Sequence, residues 1–435
     1  MNQNENRSSL LAKNIAASFV VKGWSAVIVL LMVPLTLKML GIYSNGVWLT
    51  ISGILMWIDF MDIGLGNGLR NAVTNYIATG ETEKVREAVS STIMMLTLIV
   101  IPLIILLCGI ILVFDMYATL GVDRQEVQQL DIILMMAVSL TCGTFILKSI
   151  GNFYMGLQLP AVNNLILCLG QTLSLLLTFV AYLLGSRSLL VVVLINTLSP
   201  LFVWLLSIPY TFFIKYPQYK PGFKYVNMKM SKSLCSTGVQ FFILQICGVI
   251  LLTSTNIIIS KMFSPAEVTP YQIAYRYFSI MLVLFNIICM PFWNATTDAY
   301  TRGDMDWIHE TARKLNLFLI FIFFGLMLMV LLSDFIYSIW VGSDVHIPFS
   351  LSVSMATYIF ILIASFRYSY ILNGINILRI QLYFTITAAI IFLPLAWVSC
   401  SIFGTVTSLV WTMCAVQMPG LIANMWKHQQ IINKQ

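Results

Sequence analysis

Twelve long apolar runs dominate this chain of 435 residues and constrain its fold more than any other feature. A helix needs about 20 apolar residues to cross the hydrocarbon core of a membrane, and each run reaches or approaches that length. Backbone groups in hydrocarbon have no water partner, so spans of this kind must be helices. The sequence predicts an all-α polytopic membrane protein with twelve transmembrane helices. The spans are 15–40, 46–64, 88–114, 131–155, 161–184, 189–213, 234–261, 271–293, 315–340, 347–373, 379–401 and 405–426.

The composition excludes a soluble globular protein. Hydrophobic residues make up 59% of the chain and charged residues 9%, and the mean hydropathy is +0.90. A soluble domain carries about 25% charged residues. The segment 1–14 is polar and lacks the apolar segment and cleavage site of a signal peptide, so we expect the first span to stay in the mature protein.

The basic residues predict which side each loop faces. With a cytoplasmic N-terminus, sixteen Lys and Arg residues fall on the inner side, and the outer loops keep only Arg124, Arg187 and Lys261. This asymmetry follows the positive-inside rule and places both termini in the cytoplasm. The five lysines of 215–232 are interpreted as a topology signal that touches anionic lipid.

The chain contains an internal duplication. A shift of 223 residues lays 71–80 over 294–303, and the acids of 81–87 over those of 304–310. Each copy follows the second span of a half, so we predict two six-helix bundles, 1–213 and 234–435, joined by a basic cytoplasmic linker, 214–233. Because six is even, the halves are expected to be related by a pseudo-twofold axis along the membrane normal, with a substrate pathway between them.

The duplicated segments are candidates for a gate. Alternating access requires the bundles to separate on one side while they close on the other, so we expect 71–87 and 294–310 to approach when the pathway opens outward. Glu87 and Glu310 are within reach of Arg86 and Arg313 on their own predicted helices. The alternative is that both segments are interfacial helices that rest on lipid headgroups.

Six charged residues lie inside, or at the inner margin of, predicted spans. A charge at the centre of a membrane helix costs about 2.5–3.5 kcal/mol on insertion scales, so such residues are expected to face protein or water. Helical spacing places two of the cations on polar stripes, one running from Asn14 to Ser25 and one from Thr141 to Asn152. We predict four substrate-binding cations, and for the two aspartates both a structural ion pair and a coupling role stay open. The cations are Lys22, Lys148, Arg276 and Arg367, and the aspartates are Asp59 and Asp62.

Enzyme signatures were not found in the sequence. It has no P-loop, GxSxG or HExxH motif, and the three histidines lie in separate loops or tails. No pair of the eight cysteines has metal-ligand spacing. We therefore predict no catalytic residue, no metal, no cofactor and no nucleic-acid partner.

A cationic, hydroxyl-rich pathway suits an anionic and strongly polar substrate. Moving one hydroxyl into a hydrocarbon-like medium without a partner costs about 4–8 kcal/mol, so an oligosaccharide cannot cross a bilayer unaided. A lysine or arginine can hold a phosphate through charge-assisted hydrogen bonds.

The first 90 residues carry a family pattern. It comprises Asn14…Ser18-Phe19…Lys22, Pro34-Leu35…Leu40-Gly41, Gly46-Val47-Trp48 and Asp59…Asp62-Ile63-Gly64-Leu65…Gly68-Leu69-Arg70-Asn71, with Tyr154…Gln158 and Asn373-Gly374 further on. This pattern resembles the O-antigen and polysaccharide flippases of the multidrug/oligosaccharidyl-lipid/polysaccharide exporter superfamily. The resemblance implies a two-bundle, twelve-helix flippase of the bacterial inner membrane that moves undecaprenyl-pyrophosphate-linked sugars and has no enzyme activity. It also implies membrane lipids, a polysaccharide polymerase and a chain-length regulator as partners.

Two other functions remain open from the residues. A cation-coupled multidrug exporter of the same superfamily would be expected to bury acids in the pathway, whereas the charges here are mainly basic. A membrane-embedded polysaccharide polymerase or ligase would be expected to carry a large outer loop with catalytic residues, whereas the longest predicted outer loop, 115–130, has one arginine.

Overall fold

A computed structural model of the protein describes residues 3–60, 65–230, 254–375, 377 and 379–432. Within these ranges the regular secondary structure is helical, and the helices are linked by turns and short loops. Ten helices of the described part are long and apolar enough to cross a membrane. The predicted all-α, multi-pass class is therefore confirmed.

The first two predicted spans lie in one helical segment, α1 (Gln3–Phe60), which consists of two helices joined at a kink. We expected a loop between residues 40 and 46, and instead a single residue, Gly41, leaves helical geometry with φ 73° and ψ 174°. Glycine adopts a positive φ without a steric cost, so the chain changes direction at one residue. Of the seventh predicted span, 234–261, only the helical end from residue 254 lies within the described residues.

The chain divides into two compact units, Met1–Phe242 and Ile243–Gln435, called here the N-terminal and C-terminal units. In the N-terminal unit, α7 packs against α1 and α8, α5 packs against α3 and α8, and α2 packs against α3 and α6. Phe153, Trp204 and Phe212 are fully buried in its core. Besides α1, the helices of this unit are α2 (Leu65–Ala78), α3 (Thr82–Val113), α4 (Met116–Leu120), α5 (Leu130–Leu147), α6 (Ser149–Gly156), α7 (Pro160–Leu183) and α8 (Leu189–Pro209).

The C-terminal unit is built around one central helix, α12, most of whose residues are buried. This helix packs against α9, α10 and α14, and α13 packs against α14. The described helices of the unit are α9 (Pro265–Thr301), α10 (Met305–Leu331), α11 (Ser333–Trp340), α12 (Phe349–Gly374), α13 (Arg379–Phe403) and α14 (Val406–Ile432).

The described part of the predicted linker, 214–230, folds back onto α3. Arg86 Nε donates to the carbonyl of Lys220 at 2.6 Å, and the Arg86 guanidinium lies 3.9 Å from the ring centre of Tyr225. Farther along, the Ser90 and Ser91 hydroxyls accept from two linker amides at 3.1 and 2.8 Å. This part of the linker is therefore held against the N-terminal unit.

The duplicated segments form the same turn in both units. Glu81 N donates to Tyr76 O at 2.8 Å, and 223 residues later Asp304 N donates to Ala299 O at 2.9 Å. The preceding residue is in each case a glycine with positive φ, 75° at Gly80 and 74° at Gly303. The repeat found in the sequence is thus a repeat of backbone geometry.

The charged residues of these segments have partners other than the expected Glu87–Arg86 and Glu310–Arg313. Arg86 contacts the linker, and Glu310 pairs with Lys314 at 2.7 Å. In the first copy Lys84 pairs with Glu81. The hydrogen bonds of Lys84 and then Thr79 hold the pKa of the Glu81 carboxyl below its ordinary value. Each ion pair closes one turn of helix, so these charges stabilise the turns locally.

Candidate functional site

The predicted cation Lys148 lies at the junction of α5 and α6. The backbone tightens there, because Gly151 N donates to Lys148 O at 2.9 Å in a three-residue turn. Its side chain is half-buried and lines two cavities of the N-terminal unit. Lys148 keeps helical dihedral angles, φ −60° and ψ −16°, and it is the one basic group of this apolar span.

The first cavity has a volume of about 250 Å³ and is formed by α1, α5, α7 and α8. Thr141 and Thr144 line it together with Lys148, as the predicted stripe requires, and Gln171 and Asn196 face it from the other helices. The Gln171 Oε1 atom is buried and has no hydrogen-bond partner among the described residues. An unpaired buried acceptor costs about 1–3 kcal/mol, so this cavity suits a ligand that donates hydrogen bonds.

The second cavity has a volume of about 260 Å³, and Lys148 lines it as well. Asn152 and Asn163 line it, and Trp204 lines both cavities. Gly151 allows this arrangement, since an added Cβ would lie 2.1 Å from Asn163 Oδ1 and 2.9 Å from Trp204 Cη2. The predicted stripe from Thr141 to Asn152 therefore forms one wall that serves two cavities, with a cation at its centre.

The C-terminal unit contains a cavity of about 280 Å³ that sequence reasoning missed. It is lined by tyrosine and phenylalanine rings and by uncharged polar side chains of α12, α13 and α14. A signal was present in the sequence: Ser365 and Ser369 are four residues apart, as are Gln381 and Thr385. Such spacing places each pair on one helical face.

The two units build their cavities from equivalent helices. In the order of the predicted spans, the second, fourth, fifth and sixth line the first N-terminal cavity, and the eighth, tenth, eleventh and twelfth line the C-terminal one. Lys148 and Arg367 also lie at similar depths in corresponding helices, each 18 residues after the first residue of its helix, Leu130 of α5 or Phe349 of α12. The duplication therefore extends to the cavity walls.

Arg367 is fully buried in α12. Nη2 donates to the carbonyl of Ala312 in α10 at 2.9 Å, and Nη1 lies 3.4 Å from Nε2 of His428 in α14. The guanidinium carbon lies 4.1 Å from the ring centre of Tyr368. These contacts join three helices of the C-terminal unit, so in this structure Arg367 fills a structural position.

The remaining predicted residues are not among those that line the described cavities. Lys22 is exposed on α1, and Arg276 is half-buried on α9, where its neighbour Tyr275 lines the C-terminal cavity. Asp59 belongs to the last turn of α1 with its side chain outside the described part of the structure, and Asp62 lies outside the described residues. Lys148 is thus the predicted cation that the structure surrounds with cavity-lining polar groups.

The outer-loop arginine has a structural partner. Arg124 pairs with Asp115 at 3.1 Å and lies 4.6 Å from the ring centre of Tyr117. Asp115 caps α4, and the backbone N–H of Ala118, with a contribution from Arg124, holds the pKa of the Asp115 carboxyl below its ordinary value. Arg124 therefore stabilises its loop.

A family model described as polysaccharide biosynthesis protein matches residues 11–292. This chain belongs to that family. Among curated proteins, this polysaccharide biosynthesis family member is 24% identical to a Salmonella typhi protein described as an O-antigen transporter, over 84% of the chain and 83% of the relative. It is 22% identical to a Yersinia pseudotuberculosis protein described as an O-antigen export protein, over 91% and 89%.

Solved structures confirm the fold class of this family member. An inward-facing multidrug resistance MATE family transporter of the MOP superfamily superposes with a TM-score of 0.78 at 14% identity, covering 94% of this chain and 95% of that one. An outward-facing transporter of the same description gives a TM-score of 0.57 at 15% identity, with coverage of 94% and 95%. Proteins of this fold have twelve helices in two bundles, as the sequence predicted.

Proposed function

We propose that this protein exports oligosaccharides linked to undecaprenyl pyrophosphate, such as an O-antigen, capsule or exopolysaccharide unit, across the bacterial inner membrane. The observation that carries the proposal is Lys148, a cation in a membrane-spanning helix that lines two cavities together with amide and hydroxyl groups. Family membership and the relatives described as O-antigen transport and export proteins support it.

The chemistry of the cavities supports an anionic, hydroxyl-rich cargo. A lysine ammonium offers three donors to a phosphate, and charge-assisted hydrogen bonds are about twice as strong as neutral ones. The neighbouring side-chain amides of Asn152, Asn163 and Gln171 can exchange hydrogen bonds with sugar hydroxyls. In this proposal Lys148 binds the pyrophosphate while the amides reduce the cost of desolvating the adjoining sugar.

A multidrug exporter is the second candidate, and the cavity linings favour the polysaccharide function. The described residues that line the three polar cavities include one lysine and no aspartate or glutamate. A cationic drug would face repulsion at Lys148, and the described lining offers it no carboxylate. The superposition on a multidrug transporter, at 14% sequence identity, supports a shared fold and does not extend to the cargo.

The proposed mechanism is alternating access. Its support is that transporters of this fold have been solved in inward-facing and outward-facing conformations. We expect the duplicated turns at Gly80 and Gly303 to move together and apart during the cycle. Spin labels at Thr79 and Arg302 measure this, and a separation that stays constant when lipid-linked oligosaccharide is added to a transporting sample contradicts the gating role.

The test of the cargo is complementation of a strain that lacks the gene. Lys148→Ala should reduce surface polysaccharide at least about tenfold at normal protein level, since a charge-assisted hydrogen bond contributes about 1.5–3 kcal/mol. Lys148→Arg, which keeps the charge, should retain part of the export. Lys314→Ala is the control, because this exposed lysine pairs with Glu310 on the surface of its own helix and lines none of the cavities described above. Full export by Lys148→Ala would remove the proposed pyrophosphate site.

A further inference from the structure

The cavity of the C-terminal unit differs chemically from the two around Lys148. Its volume is about 280 Å³, just below the range of about 300–1,000 Å³ that is usual for ligand sites. Two tyrosines, Tyr275 and Tyr358, and two phenylalanines, Phe366 and Phe384, line it. Aromatic faces carry partial negative charge and attract the weakly positive C–H edges of a ligand.

Two polar groups of this cavity lack hydrogen-bond partners. Asn424 is 2% exposed, its Nδ2 lies 3.4 Å from Ser369 Oγ, and its Oδ1 has no partner among the described residues. Gln381 Oε1, which comes from α13, is likewise buried and unpaired within the described part of the chain. Both atoms are acceptors, so a ligand with two hydroxyl donors would remove two desolvation costs of about 1–3 kcal/mol each.

The described lining of this cavity contains no lysine, arginine, histidine, aspartate or glutamate, and its polar groups are amides, phenols and the hydroxyls of serine and threonine. It therefore offers a phosphate no counter-charge, and it offers an organic cation no carboxylate. A neutral sugar ring fits both parts of the lining, because its hydroxyls donate to amide oxygens and its C–H face packs on aromatic rings.

We infer that this cavity is a subsite for one uncharged sugar ring of the transported oligosaccharide. The inference rests on the proposed function, and it assigns the cargo's charged and neutral parts to different units. Lys148 in the N-terminal unit binds pyrophosphate, and Gln381 and Asn424 in the C-terminal unit bind sugar hydroxyls.

The test measures the affinity of the detergent-purified full-length protein for two probes. One probe is undecaprenyl pyrophosphate, and the other is the same lipid carrying a single N-acetylhexosamine. Gln381→Ala with Asn424→Ala should raise the Kd for the sugar-bearing probe about tenfold, from the loss of two neutral hydrogen bonds, and should change the Kd for the bare lipid less than about twofold. Lys148→Ala should weaken both probes.

Asn373→Ala is the matched control, since Asn373 Oδ1 is also buried without a partner in the described structure but the residue does not line the cavity. If the alanine pair fails to fold, Gln381→Met keeps the length of the side chain but has no amide oxygen, so it should weaken the sugar-bearing probe selectively. Equal loss for both probes would assign the cavity to the lipid and overturn the inference. Wild-type protein that binds both probes equally would also overturn it, whereas failure to bind either would refute the proposed function itself.

Discussion

Replacing Arg367 distinguishes a structural role from the substrate-binding role that its position in the sequence predicts. The side chain is fully buried and its Nη2 donates to Ala312 O at 2.9 Å. Loss of a hydrogen bond from a charged group costs about 1.5–3 kcal/mol, and a desolvated cation over an aromatic ring such as Tyr368 contributes about 2 kcal/mol. The unpaired Nε offsets about 1–3 kcal/mol of this total.

Arg367→Met should therefore lower the free energy of unfolding by about 0.5–4 kcal/mol, since methionine keeps an apolar stem but has no donor. Unfolding of the purified protein in detergent, followed by Trp fluorescence during a denaturant titration, measures the change. Lys314→Ala is the control, because its ion pair with Glu310 is 72% and 64% exposed and should contribute less than about 1 kcal/mol.

The result that refutes this reasoning is equally specific. If Arg367→Met unfolds like the wild type but no longer exports polysaccharide, the guanidinium acts on substrate and its buried contacts do not decide its role. A variant that is destabilised but still exports in proportion to its folded amount supports the structural assignment.

Three further predictions concern the N-terminal unit. Gly151→Ala should destabilise it by about 1–3 kcal/mol, because the new Cβ would overlap Asn163; an unchanged melting temperature contradicts this. Ser91→Ala removes a hydroxyl that holds the linker, so trypsin should cleave faster after Lys224, and equal cleavage rates would show that this bond does not hold the linker. Cysteines placed at Lys224 and at Asp123 should label from opposite sides of the membrane, and labelling from one side would refute the predicted topology.

The sequence predicts well those features whose alternative would cost much free energy in hydrocarbon, such as an unpaired backbone group or an exposed charge. Long apolar runs must be helices in hydrocarbon, which is why most predicted spans coincide with helices. A lysine in such a run must face something polar, and Lys148 does. The duplicated turn was also predictable, because its glycine and acidic residues recur at one fixed shift and give the same hydrogen bonds.

The features that the sequence does not reveal depend on contacts between distant segments. Arg367, like Lys148, is a cation in an apolar span and is expected to face a polar group. Its partner, the carbonyl of Ala312, is 55 residues away in the sequence, so the structure is needed to show that the guanidinium is bonded inside the bundle. The C-terminal cavity is lined by uncharged residues, which cost less in a membrane helix and therefore give a weak signal. The junction at Gly41 needs no loop, so loop composition gives no sign of it.

The cavities of the two halves are lined by corresponding helices but by different side chains, so one duplicated fold can provide two sites that suit different ligands. Corresponding helices line both cavities, and a basic residue stands 18 positions after the first residue of α5 and of α12. In the N-terminal half that residue, Lys148, lines two cavities. In the C-terminal half Arg367 is fully buried, and its guanidinium donates to the carbonyl of Ala312 on a neighbouring helix. The contacts of the basic residue therefore distinguish the two halves: the N-terminal half presents a cation to its cavities, and the described lining of the C-terminal cavity is the neutral one that suits a sugar.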